Sequence, residues 1–165
     1  MSAGKFKNLL LAAVLISSPY VLPYPGLMPG NKLYPVKQIF DKLMQYWAFG
    51  SFSRYKYELA LADKKLVEAK TLFEYQQYPL ALKALVDSNV HFQQASKFLE
   101  QAKREGKNIT QKEDIYKLAA KKHQEVLENL EHILPASFIW QPEKKSASKL
   151  ELKAVLEEAI RLREI

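Results

Sequence analysis

From residue 35 onward, apolar positions recur every three or four residues, the period of a helix buried along one face. Pro35 suits a first helical position. The spacing predicts a helix over 35–49 with Val36, Ile39, Phe40, Leu43 and Trp47 on one face. Gly50-Ser51 ends it, and Ser53 as N-cap predicts a second helix over 54–76. The stripe of that helix is Tyr55, Leu59, Ala62, Leu66, Ala69 and Phe73. Pro79 starts a third helix over 79–107, with Ala81, Leu85, Ser88, Phe92, Ala95, Leu99 and Ala102 in line. Only a short turn at 76–78 separates these two stripes, so an antiparallel hairpin is expected, its alanines allowing close approach. Thr110 and Glu113 read as a capping box for a fourth helix over 110–134, with Ile115, Ala119, Val126, Leu130 and Ile133 inward and Pro135 beyond its end. Residues 135–146 read as a linker or apolar strap. Ser146 or Ser148 then opens a terminal amphipathic helix within 147–165. Leu152, Val155, Leu156, Ala159 and Leu162 share its face, and it either docks on the bundle or forms a tail.

Upstream the helical period breaks. Pro23, Pro25 and Pro29 push the residues before them into extended geometry, so a strap with turns at Gly26 and Gly30 is expected over 20–34. Its apolar side chains (Tyr20, Leu22, Tyr24, Leu27, Met28, Leu33, Tyr34) exceed what a linker needs, so the strap either lies on its own bundle or recognises a partner. Ahead of it, Lys5 and Lys7 precede the apolar run Leu9 to Ile16 and then Ser17-Ser18-Pro19. That order predicts a signal peptide over 1–19, or an uncleaved signal-anchor, since Leu15 and Ile16 suit a cleavage site poorly. A buried N-terminal helix of a cytosolic protein is the competing reading. The expected fold is all-α: an antiparallel bundle of three long helices with a short N-terminal and a C-terminal helix, preceded by the proline-rich strap. The bundle domain spans 35–134.

A chain of 165 residues is long enough to bury one core unaided. It has no cysteine, which excludes disulfides, thiolate metal sites and cysteine nucleophiles. The net charge of +7 raises the question of nucleic acid, but Lys5 and Lys7 belong to the leader and elsewhere Lys/Arg alternate with Asp/Glu. A phosphate-tracking face concentrates one sign; this pattern reads as a solvated helical surface, so nucleic-acid binding is not expected, while weak attraction to an anionic membrane is compatible.

Catalytic patterns are missing. There is no GxSxG elbow, no phosphate-binding glycine loop, and no acid pair isolated in apolar surroundings. His123 and His132 are half a helical turn out of phase, and neither they nor His91 follow a glutamate in the Glu-x-x-His spacing of di-metal bundles. All three read as solvated, although Glu128 and His132 share a face. Asn108-Ile109-Thr110 matches a glycosylation sequon whose threonine a helix cap already explains. Tyr46, Trp47, Tyr55, Tyr57, Phe73, Tyr75 and Tyr78 are expected to cluster near one end of the bundle as core packing. No catalytic, cofactor-binding or metal-binding residue is assigned, and an enzyme is not expected.

The run Tyr20 to Lys37, YVLPYPGLMPGNKLYPVK, resembles the opening signature of an uncharacterised family of exported bacterial helical domains, known only as a domain of unknown function. Phe52-Ser53-Arg54, Ala62 to Ala69, Ala102 to Asn108 and Lys122 to Leu127 extend the likeness over residues 20–134. Asn31-Lys32 stands where that signature has a residue followed by proline. The resemblance implies an exported or membrane-tethered protein and carries over no catalytic residue. The expected function is therefore a non-catalytic, envelope-associated protein-binding or scaffold module. Tyr20, Leu22, Tyr24, Leu27, Tyr34 and Trp47 are its candidate partner-binding residues, and the N-terminal segment contacts the membrane if it is uncleaved. The alternative is a periplasmic small-ligand or metal-binding bundle using the aromatic end or Glu128 and His132.

Overall fold

A computed structural model describes residues 20–143 and 146–165, and the predicted leader lies outside them. The described chain is mostly helical. In order it forms α1 (Tyr34–Trp47), α2 (Ser51–Glu74), α3 (Tyr78–Arg104), α4 (Thr110–Ile133), β1 (Phe138–Trp140), β2 (Ser148–Leu150) and α5 (Leu152–Arg161).

The stripes predicted for α2 and α3 are all buried, and they are what joins the two helices. Ala62, Ala69, Ala81, Ala95 and Ala102 are fully buried at the α2–α3 seam, where short side chains let the backbones approach closely. The α2–α3 turn and the end of α3 use the same device. Gln77 N–H bonds Leu72 O and Gln76 N–H bonds Phe73 O, while Lys107 N–H bonds Ala102 O and Gly106 N–H bonds Lys103 O. Both are Schellman closures, which need a left-handed residue just past the helix. Gly106 supplies it at φ 74°, whereas Gln76 is held at φ 58° despite its side chain. At the hairpin's open end, Ser51 Oγ donates to Glu105 Oε2 at 2.7 Å. Hydrogen bonds from Lys107, Ser51 and Gln101 hold the Glu105 pKa down at about 2.

Four local expectations need correction. α2 begins at Ser51, because Gly50 at φ 82° makes the turn into it, so Ser53 lies inside the helix and is not its cap. No capping box opens α4, since Thr110 is already helical and its N–H is taken by Asn108 Oδ1 at 3.1 Å. The inward face of α4 is Tyr116, Ala119, Ala120, His123, Val126, Leu127 and Leu130, leaving Ile115 and Ile133 exposed. The apolar-only stripe missed that face because a tyrosine and a histidine occupy two of its positions. Finally, 138–150 is not a strap leading into a helix. Phe138↔Leu150, Ile139↔Lys149 and Trp140↔Ser148 pair as a small antiparallel hairpin, so the terminal helix starts only at Leu152. Phe138 lies 4.7 Å from the Tyr78 ring, and Leu150, opposite it in register, packs on the core. α5 docks through buried Leu152, Leu156 and Ala159.

The core has two apolar clusters. One joins the end of α2, the start of α3, the end of α4 and α5 around Leu66, Phe73, Leu85, Leu127 and Leu156. The other joins the opposite ends of α2, α3 and α4 around Tyr55, Phe92, Leu99 and Tyr116. Consequently the aromatic residues do not gather at one end. Tyr55 and Phe73 fall in different clusters, roughly 27 Å apart along α2, and Tyr75 is exposed.

The two Schellman closures give opposite expectations at equivalent positions. Gln76→Gly should raise stability by about 0.5–1 kcal/mol, and Gly106→Ala should lower it by about 1 kcal/mol through backbone strain alone, because nothing lies within 4 Å of an added Cβ there. Urea unfolding of the two variants checks both signs.

Candidate functional site

Between the two apolar clusters lies a layer of polar side chains, one or more from each long element. Asp63 comes from α2, Ser88 and Asn89 from α3, His123 from α4, and Arg163 from just beyond α5. His123 is 0 % exposed and Arg163 1 %. Such burial requires that every donor and acceptor find a partner. Arg163 Nε donates to His123 Nδ1 at 3.0 Å, and its Nη1 donates to Asn89 Oδ1 and Ala159 O, both at 2.7 Å. Its Nη2 donates to Ser88 Oγ at 3.1 Å, and Ser88 Oγ in turn donates to Ala62 O at 2.8 Å. The guanidinium also lies 4.9 Å from the Phe92 ring centroid. Among the described residues no buried side-chain nitrogen or oxygen lacks a partner.

These contacts fix the histidine tautomer. An arginine Nε can only donate, so Nδ1 of His123 is the acceptor and the ring proton sits on Nε2. Nε2 then donates to Asp63 Oδ1 at 2.7 Å, and Asp63 Oδ2 accepts from Tyr20 OH of the strap, also at 2.7 Å. Burial is the main force holding the His123 pKa below its ordinary value. The Arg163 charge adds to that effect, while Asp63 opposes it. Burial likewise lowers Arg163 to about 10 and raises Tyr20, the latter with help from Asp63. An aspartate–histidine pair is a familiar acid–base arrangement, but here both ring nitrogens are committed and the ring is sealed from solvent. As it stands the layer holds elements together and presents no nitrogen to a substrate. The reading of His123 as solvated is therefore corrected.

Asp63 is one of three buried carboxylates on α2, which the alternating charges had suggested was a solvated surface. Glu58 meets His91 Nδ1 of α3 at 2.7 Å. Glu68 accepts from Lys65 Nζ and from Tyr34 OH at the start of α1, and Lys37 Nζ lies 3.7 Å away. The strap is therefore pinned at both ends to one helix, by Tyr20 on Asp63 and Tyr34 on Glu68. Leu22 and Met28 pack on the first core cluster between these pins. A groove of about 1020 Å³ runs beside the strap, walled by Leu22, Pro23 and Pro25 and by Val67, Thr71, Val126 and Ile133 of α2 and α4.

The six candidate partner-binding residues thus separate. Tyr20, Leu22 and Tyr34 engage the bundle, Tyr24 is 96 % exposed, and Leu27 is exposed with its carbonyl accepting from Lys37 Nζ at 3.2 Å. The Trp47 side chain lies outside the described set. Glu128 and His132 are on the surface, and among the described residues no three His, Asp or Glu side chains are grouped to hold a metal. Asp63, His123 and Arg163 went unassigned, although Arg163 continues the Leu152–Leu156–Ala159 stripe by one four-residue step.

A model of a family described as a domain of unknown function (DUF5667) matches residues 26–137, more than half of the chain, and the chain belongs to that family. The matched span holds Asp63, Ser88, Asn89 and His123 and leaves out Tyr20 and Arg163, which close the layer from either end of the chain. No curated protein matches the chain, and no solved structure does.

Burial of His123 in the polar layer predicts a fold that weakens in acid. An unfolded histidine protonates near pH 6.5 whereas buried His123 resists it, so stability is full above about pH 6.5 and declines as the pH falls. Below that pH the decline should approach about 1.4 kcal/mol per pH unit, measured by urea unfolding, and His123→Gln, which keeps a donor and an acceptor, should abolish that component. Equal slopes in the two proteins would exclude His123 as its source. Arg163→Met strands the acceptors facing the guanidinium and should lose about 3–5 kcal/mol in the same assay.

Proposed function

We propose that this family member is a non-catalytic, exported scaffold of the cell envelope whose docking surface is the outward face of α1. One observation carries the reading: α1 is mounted with its apolar side out. An amphipathic helix ordinarily buries its apolar stripe in its own core. In α1 the bonds to the bundle come instead from Tyr34 and Lys37, through Glu68. Ile39 and Phe40 are 61 % and 62 % exposed, and Val36, Leu43 and Met44 are exposed beside them. Leu33 and Phe49 extend the surface at either end of the helix. A contiguous apolar face left away from the core is the form a docking surface takes. Export is supported by the order of charge and apolar residues over 1–19, and by the resemblance of the strap to that of exported helical domains. The ligand- or metal-binding alternative has less behind it, since among the described residues no third ligand is grouped with Glu128 and His132.

The chain has no cysteine, so a single introduced one reports on its own position. Leu43→Cys on α1 and Lys103→Cys on the exposed side of α3 are compared in intact spheroplasts with a membrane-impermeant maleimide. Lys103→Cys should label from outside, and Leu43→Cys should be protected there yet label in the purified protein. Equal labelling of both positions in spheroplasts removes the docking surface. Labelling of neither until lysis removes export.

A further inference from the structure

We infer that the partner of the α1 face is an anionic lipid surface, on which α1 lies in the plane of the membrane; this rests on the docking role just proposed. The first ground is shape. α1 has 14 residues, roughly 21 Å of helix, with apolar side chains at 36, 39, 40, 43 and 44, and Leu33 and Phe49 exposed at its ends. Among the described residues no helix is long and apolar enough to cross a membrane, whereas a helix of this length with one apolar face suits the interface.

The second ground is charge. In sequence Lys32, Lys37 and Lys42 stand against Asp41 alone over 32–42, and the whole chain carries +7; Lys37 is paired with Glu68 of α2, whereas Lys32 is exposed. Anionic headgroups attract such a segment, with about 1 kcal/mol, or fivefold in affinity, for each lysine near the surface. A second copy of this net-positive segment would instead bring like charges together, which disfavours self-association.

The third ground is where the rest of the chain leaves the bundle. Residues 1–19 carry Lys5, Lys7 and the apolar run Leu9 to Ile16, and they join the described chain at Tyr20. Tyr20 is bonded to Asp63, and α1 is bonded to Glu68, five positions along the same helix and roughly 7.5 Å away along its axis. Tyr20, ahead of which that run lies in sequence, and the start of α1 are therefore attached at neighbouring points on α2, so one lipid surface can receive both segments.

The test uses the full chain bearing Phe40→Cys or, as control, Gln38→Cys, each labelled with the environment-sensitive dye NBD. Both positions are exposed, so neither label disturbs the core. With phosphatidylglycerol-rich vesicles the position-40 label should shift to the blue, and the position-38 label should not. Phosphatidylcholine vesicles or high salt should weaken the response, and Lys32→Gln should raise the lipid concentration it needs by about fivefold. A position-40 label that stays unshifted on anionic vesicles overturns the lipid assignment, even if residues 1–19 bring the chain to the bilayer. If Leu43→Cys is nevertheless protected in spheroplasts, the docking role survives with a protein as occupant. A blue shift that grows with protein concentration in the absence of vesicles overturns it in favour of a second copy.

Discussion

A guanidinium that is 1 % exposed has to find a partner for each of its donors inside the protein, and the positions of the helices follow from supplying them. Arg163 draws on α3 through Ser88 and Asn89, on α4 through His123 and on its own helix through Ala159 O. His123 passes the demand to Asp63 of α2, and Asp63 passes it to Tyr20 of the strap. One buried cation near the C-terminus is thereby linked by consecutive hydrogen bonds to the first described residue. Replacing such a layer with apolar side chains of equal volume often costs a protein little, so its value here is better sought in specificity than in net stability. The stripes of α2 and α3 are regular enough that a slide by one heptad would still bury apolar side chains. A slide would, however, separate Ser88 and Asn89 from Arg163 and leave a charge stranded.

The same logic is repeated along α2. Glu58, Asp63 and Glu68 are buried at successive levels of the helix, and they bind α3, α4 with the strap, and α1 respectively. Each flanking element is recognised by a hydrogen bond with defined direction as well as by apolar area. For α1 this has a particular consequence. Because the start of the helix is bonded through Tyr34 and Lys37, that end is tied to the bundle while the apolar side chains from Val36 to Met44 are left exposed. The exposed face is therefore a product of how α1 is attached. It also explains why a strap rich in tyrosine and proline precedes the helix: the tyrosine hydroxyls reach the carboxylates, and the prolines hold the intervening backbone extended.

Much of this could be read from the chain itself. The two heptad-spaced stripes of 55–73 and 81–102, the alanines that permit close packing, the proline-enforced strap and, to within about three residues, the helix ends at 104 and 133 all follow from local periodicity and backbone stereochemistry. Those are properties of a few consecutive residues, and neighbours in sequence suffice to impose them. The face of α4 was misread where Tyr116 and His123 interrupt an apolar count, and the hairpin at 138–150 was missed because three-residue strands carry almost no periodic signal.

Only the tertiary structure decided which charged residues are inside. Asp63, His123 and Arg163 are separated by long stretches of chain, and each taken alone resembles a solvated side chain. Burial of any one of them is favourable only when the other two are already in place, which is a condition no local pattern expresses. The direction of α1 was decided in the same way. Its amphipathic pattern establishes that one face is apolar, but whether that face turns toward the core or away depends on Glu68, a partner on a different helix. Sequence determined the elements and their stripes because those rest on contacts between near neighbours. The polar layer and the outward helix rest on pairings across the fold, so they came into being only with it.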